Sequence, residues 1–201
     1  MKQRTPGERV WLALGEHFLD TETRHLLPLT ALTCVEAGLG PAAVRDTWRE
    51  DMLPVLGSNL LDVAGTWDGW DEDWLLSELA RRRKQDPAPG IVRRMSRALA
   101  LPDVAAGTLE ALVKCVEDLQ GTPPPEREAR ARALSDLARH VFEFNPPDAS
   151  AWTPETLRLA RSLAPGPVLA LLRPALLPDE PAVAAARLEA FLRESAAWPS
   201  S

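Results

Sequence analysis

The sequence has no Tyr and one Ile against 32 Leu and 30 Ala. Strand formers are scarce and helix formers dominate, which argues against an all-β fold or a parallel α/β fold. Only two Cys occur, Cys34 and Cys115. They fall on the apolar faces of separate predicted helices. Two isolated thiols build neither a disulfide framework nor a zinc site, so both read as small buried hydrophobes. No apolar run approaches the roughly 20 residues of a membrane span. The opening stretch Met1–Glu8 has no apolar h-region, so no secretory signal and a cytoplasmic location are expected. Basic residues are outnumbered, 23 to 29, for a net charge of −6. That balance repels nucleic acid and anionic lipid on average.

What is present is helical punctuation. Thr5-Pro6-Gly7-Glu8 is a capping box with Pro at the first helical position. Val10, Trp11, Leu14 and Phe18 follow at helical spacing. Asp20 or Thr21 is expected to restart the chain into a second helix carrying Leu29, Leu32 and Val35, with Pro28 confined to its first turn. Gly38-Leu39-Gly40-Pro41 ends that helix and starts a third. Val44, Trp48 and Met52 share one face of it, and Pro54 is expected to stop it. Asn59 is expected to cap a short turn. Trp67-Asp68-Gly69-Trp70 reads as a tight turn. Asp71 caps a helix to about Lys84, with Trp70 and Leu75 as its hydrophobic staple. That helix is acidic at its start and basic at its end, as the helix dipole favours.

Gln85-Asp86-Pro87-Ala88-Pro89-Gly90 reads as a linker. It divides a Trp-rich domain, residues 1–85, from an Ala/Leu/Pro-rich helical region, residues 86–201. In the second part helices are expected at 91–101, 108–120, 125–144, 154–164, 167–177 and 180–195, and Gly121 marks a stop. The fold class is therefore all-α: a compact helical bundle followed by a second helical region. No repeat of 33–47 residues matches itself, so a repeat-like character rests on helix rhythm alone.

Four stretches occur in order: Val10-Trp11-Leu12-Ala13-Leu14, Phe18-Leu19-Asp20-Thr21-Glu22, the run Pro54-Val55-Leu56-Gly57-Ser58-Asn59-Leu60-Leu61-Asp62-Val63-Ala64-Gly65-Thr66-Trp67, and Trp70-Asp71-Glu72-Asp73-Trp74-Leu75. Together they resemble a family of small bacterial domains of unknown function, over about residues 8–83. The resemblance implies a compact helical domain in a bacterial cytosol. It brings no assigned activity and no catalytic residues.

The chemistry-bearing residues form no reaction centre. Asp62, Asp68, Asp71, Glu72 and Asp73 lack the ligand spacing of a calcium loop. His17, His25 and His140 include no HExxH pair, and His17 with Asp20 reads as a capping pair. No serine lies in a GxSxG setting, and Gly38-Leu39-Gly40 follows no strand. No cofactor or metal is expected. Arg81, Arg82, Arg83, Lys84, Arg93, Arg94 and Arg97 form the one basic region, without interleaved aromatics. The expected function is a non-enzymatic protein-interaction module, of the immunity or inhibitor type, that binds a basic partner protein. Asp68, Trp70, Glu72 and Asp73 are its candidate contact residues. The alternatives are a nucleic-acid-binding regulator using Arg81–Arg97 and an enzyme using the Asp62–Asp73 acids.

Overall fold

The computed structural model of the chain describes residues 3–19, 22–57, 69–84, 103–142, 163, 165–176 and 180–196. Among them every regular element is helical. Outside them lie the expected Asp20/Thr21 cap, the Asn59 turn, the 85–90 linker, the 91–101 helix and nearly all of the 154–164 helix.

Helix α1, Pro6–Gly15, starts as its sequence dictates. The Glu8 N–H donates to Thr5 Oγ1 at 3.2 Å, and the Thr5 N–H donates to the Glu8 carboxylate at 2.7 Å. Two backbone donors that the first turn would leave orphaned are satisfied reciprocally. A 3-10 turn, Glu16–Phe18, continues α1. Helix α2, Leu27–Glu36, carries Pro28 in its first turn, where no intrahelical N–H is lost. It ends at Gly38, whose φ of +79° suits a residue without Cβ.

Helix α3 begins at Pro41 and runs to Leu56, through Pro54. The expected stop is absent because the helix changes register first. Residues Thr47–Met52 form a π segment, in which the Leu53 N–H bonds the Trp48 carbonyl five residues back. Proline removes one donor and presses its ring on the carbonyl four residues earlier. The wider π turn gives that carbonyl room, and a last α turn, Leu53–Leu56, closes the element. Val44, Trp48 and Met52 are all fully buried, as their spacing implies.

Helix α4 is Glu72–Lys84, α5 is Asp103–Gly121 and α6 is Arg127–Phe142. Helix α7 is Pro165–Leu172, and α8 is Glu180–Ala196. Compared with expectation, α5 starts five residues earlier, and a 3-10 turn, Pro124–Glu126, leads directly into α6.

The core crosses the 85/86 division. Helix α2 packs chiefly on α5 and α6, which come from the other side of it. Val10, Leu14, Phe18, Ala31, Cys34 and Trp48 belong to the same apolar cluster as Leu112, Cys115, Leu134, Leu137 and Leu188. Phe18 meets Trp48 at a ring-centroid distance of 4.6 Å. Arg24 locks the amino-terminal part to the carboxy-terminal one. Its guanidinium lies 4.4 Å over the Phe142 ring and donates to Glu22, to Glu180 and to the Ala175 carbonyl. Gly107 permits close contact of α5 with the turn after α7, since a Cβ there would lie 2.0 Å from the Pro174 carbonyl oxygen. Among the described residues no single helix is long and apolar enough to cross a membrane.

Candidate functional site

The amino-terminal edge of α4 is where the sequence placed its contact residues. Gly69, at φ +100°, turns the chain into Trp70. Asp71 Oδ1 accepts from the Trp74 N–H at 2.9 Å and caps the helix as expected. Trp70 and Leu75, the predicted staple pair, close around Gly15 at the end of α1. A Cβ on Gly15 would lie 3.0 Å from Leu75 and 3.5 Å from Trp70. The Trp70 indole N–H donates to the Gly15 carbonyl at 2.8 Å. Trp70 is thus half-buried scaffolding, with its polar handle directed inward.

Trp74 is the aromatic that faces out. It stacks on Trp70 at 6.2 Å between ring centroids and is 48% exposed. Of the large apolar side chains described, only Val183 on α8 shares that status. Glu72 and Asp73 flank it, both exposed. The two acids are bridged by Arg4, which precedes the α1 cap. Its Nη2 donates to Glu72 Oε2 at 3.1 Å and to Asp73 Oδ1 at 3.0 Å. The hydrogen bond to Asp73, then charge attraction to both acids, holds the guanidinium above its ordinary pKa against a lowering by burial. Glu16 lies near enough that burial, and then repulsion from Glu72, raise its carboxyl pKa. Asp62 and Asp68 lie outside the described residues.

The far end of α4 has a related group. Arg83 Nη2 meets Asp51 Oδ2 at 2.6 Å, and the same oxygen accepts from the Trp11 indole N–H at 3.1 Å. The Arg83 guanidinium also lies 4.7 Å over the Trp11 ring. Arg81 pairs with Glu78. Two of the four bases on this helix that the nucleic-acid alternative would use therefore hold α4 together or tie it to the rest of the fold. Arg93, Arg94 and Arg97 lie outside the described residues.

His17 and His140 are core residues. His17 is buried; its Nε2 lies 3.0 Å from Thr30 Oγ1 and its Nδ1 3.5 Å from Thr23 Oγ1. Thr30 in turn reaches the Ala13 carbonyl at 3.5 Å. That chain of contacts is satisfied by the neutral ring with its proton on Nε2. Burial, aided by His25, lowers the pKa to about 3. His140 stacks on Phe191 at 3.7 Å, and burial lowers its pKa to about 4. Burial pushes both thiols, Cys34 and Cys115, up to about 12. Such groups are poor candidates for acid–base or nucleophilic work near neutral pH. Among the described residues, no group of three or more His, Cys, Asp or Glu side chains is placed to hold a metal ion.

Sequence reasoning missed Arg4, Asp51 and the outward face of Trp74. Arg4 and its acids are 68 and 69 residues apart, and no local pattern signals such a pair. The contrast between Trp70 and Trp74 was readable in principle, because a staple residue faces inward and the third residue after the N-cap does not.

No curated protein and no solved structure matches the chain. One family model does match, over residues 6–114, and its description is a domain of unknown function, DUF7079. The match runs past residue 85 and into α5, so it takes in the α2–α5 packing as well as the Trp-rich part. It covers more than half of the 201 residues, and the chain belongs to the DUF7079 family of domains of unknown function.

Proposed function

We propose that this chain is a non-enzymatic protein-interaction module, of the immunity or inhibitor type, acting in a bacterial cytoplasm. It engages a basic partner through the amino-terminal edge of α4. The observation that carries the reading is Trp74, 48% exposed and backed by Trp70, beside the exposed carboxylates of Glu72 and Asp73. A tryptophan held by a second ring offers a large contact area with little side-chain entropy left to lose. The acids and the net charge of −6 favour fast encounter with a positive surface.

An enzymatic role for the acids fits less well. Asp71 is committed to capping a helix. The nucleic-acid alternative is weakened by the internal engagement of Arg81 and Arg83.

The test uses a partner isolated on a tagged copy of the full chain. Exchange of Glu72 and Asp73 for lysine is expected to slow association about tenfold or more at low salt, with the helical circular-dichroism spectrum unchanged. An unchanged on-rate would remove this edge from the reading.

A further inference from the structure

We infer that Arg4 is an internal occupant of the α4 edge, holding the place that an arginine of the partner protein takes. The inference rests on the reading of that edge as a binding face. It adds the chemical group that the edge recognises and a device that restrains it.

The two ends of α4 supply the argument. At the carboxy-terminal end, arginine, carboxylate and tryptophan form a closed set. Arg83 pairs with Asp51 and lies over the Trp11 ring, while the Trp11 N–H donates to the same carboxylate. At the amino-terminal end the same three chemistries recur as Arg4, Glu72 with Asp73, and Trp74. Here Arg4 reaches both acids through the single nitrogen Nη2, and Trp74 stays 48% exposed. A guanidinium has five donors in a planar fork, made for two parallel bonds to a carboxylate and for stacking on an aromatic ring. Arg4 is anchored by the capping box that begins one residue later. An incoming arginine has no such tether and can use the acids and the Trp74 ring together.

Displacement is feasible because the internal contact is weak. An exposed ion pair shifts an equilibrium by a factor of roughly 1.4 to 5. Such a contact lowers the apparent affinity for a competing guanidinium without abolishing it.

The experiment titrates the full chain with a hexa-arginine amide peptide at low ionic strength. The readout is the Trp74 indole N–H resonance, assigned through Trp74→Phe. The wild-type protein is expected to bind, and Arg4→Gln to bind roughly two- to fivefold more tightly. Glu72→Gln with Asp73→Asn in the Arg4→Gln background is expected to abolish the Trp74 shift. Hexa-lysine amide is expected to bind more weakly than hexa-arginine. Equal affinity of wild type and Arg4→Gln would overturn the role of Arg4 while leaving the edge as a binding face. No Trp74 shift in either protein would overturn the edge itself. Equal binding of the lysine peptide, or binding that survives loss of both acids, would overturn guanidinium recognition.

Discussion

The sharpest consequence of the fold for stability comes from His17. The ring is buried, hydrogen-bonded as a neutral imidazole, and its pKa is lowered from 6.5 to about 3. The unfolded chain takes up this proton below pH 6.5 and the folded chain does not. The stabilisation is therefore fully present above pH 6.5 and is lost as pH falls towards 3. At pH 4.5 the difference for a group moved from 6.5 to about 3 amounts to about 2–3 kcal/mol. His17→Gln keeps an amide donor for Thr30 and removes the titration. The variant is expected to be less stable than wild type at pH 7, by about 1–3 kcal/mol, through altered hydrogen bonding. Urea unfolding at pH 7.0 and 4.5 measures the loss in each protein. Wild type is expected to lose about 2–3 kcal/mol more than the variant over that interval. His140, whose lowered pKa acts in the same direction, and Glu16 and Asp136, whose burial-raised pKa values act in the opposite one, are present in both proteins. Their effects cancel in the difference. Equal losses in the two proteins would refute a buried neutral His17.

Four further outcomes follow from packing. Gly107→Ala places a methyl 2.0 Å from the Pro174 carbonyl oxygen and is expected to destabilise by about 1–3 kcal/mol. Gly7→Ala, with nothing within 4 Å, should be neutral or slightly stabilising; thermal melts compare the two. Cys34 and Cys115, buried with pKa values near 12, are expected to react with a thiol reagent only in denaturant, so fast native labelling of either would contradict their placement. A chain ending at residue 85 would expose the α2 face that packs on α5 and α6. It is expected to show no cooperative urea transition, and a sharp two-state transition would show that the Trp-rich part has a sufficient core of its own.

The local grammar of the fold was legible. The Thr5 capping box, Pro28 in a first turn, the start of α3 at Gly40-Pro41 and the Asp71 cap each involve residues within four positions of one another. Short-range hydrogen-bond geometry decides such features. Pro54 shows the limit of that reasoning. Its effect depends on whether the preceding turn can widen, and Trp48 and Met52, both buried in the π segment, fill the core there. Long-range pairing was not legible. Leu109, Leu112 and Val116 stand at helical spacing in the sequence, but an amphipathic face does not name the helix it meets. Arg24 joining Glu22 to Glu180, and Arg4 joining α4, are point contacts between distant segments with no periodic signal. At the candidate edge, the sequence offers Trp70, Glu72 and Asp73 alike as contact residues; both acids are exposed, whereas the half-buried Trp70 directs its indole N–H inward to Gly15.

The most direct measurement of the proposed binding face is position-specific photo-crosslinking in the host cell. The full chain would carry p-benzoylphenylalanine in place of Trp74 or, as a control, in place of Val183, which is 50% exposed on α8. A discrete protein adduct from position 74, absent from position 183 and lost with the Glu72→Lys and Asp73→Lys exchanges, is the predicted result. Adducts of the same mass from both positions, or from position 183 alone, would contradict it.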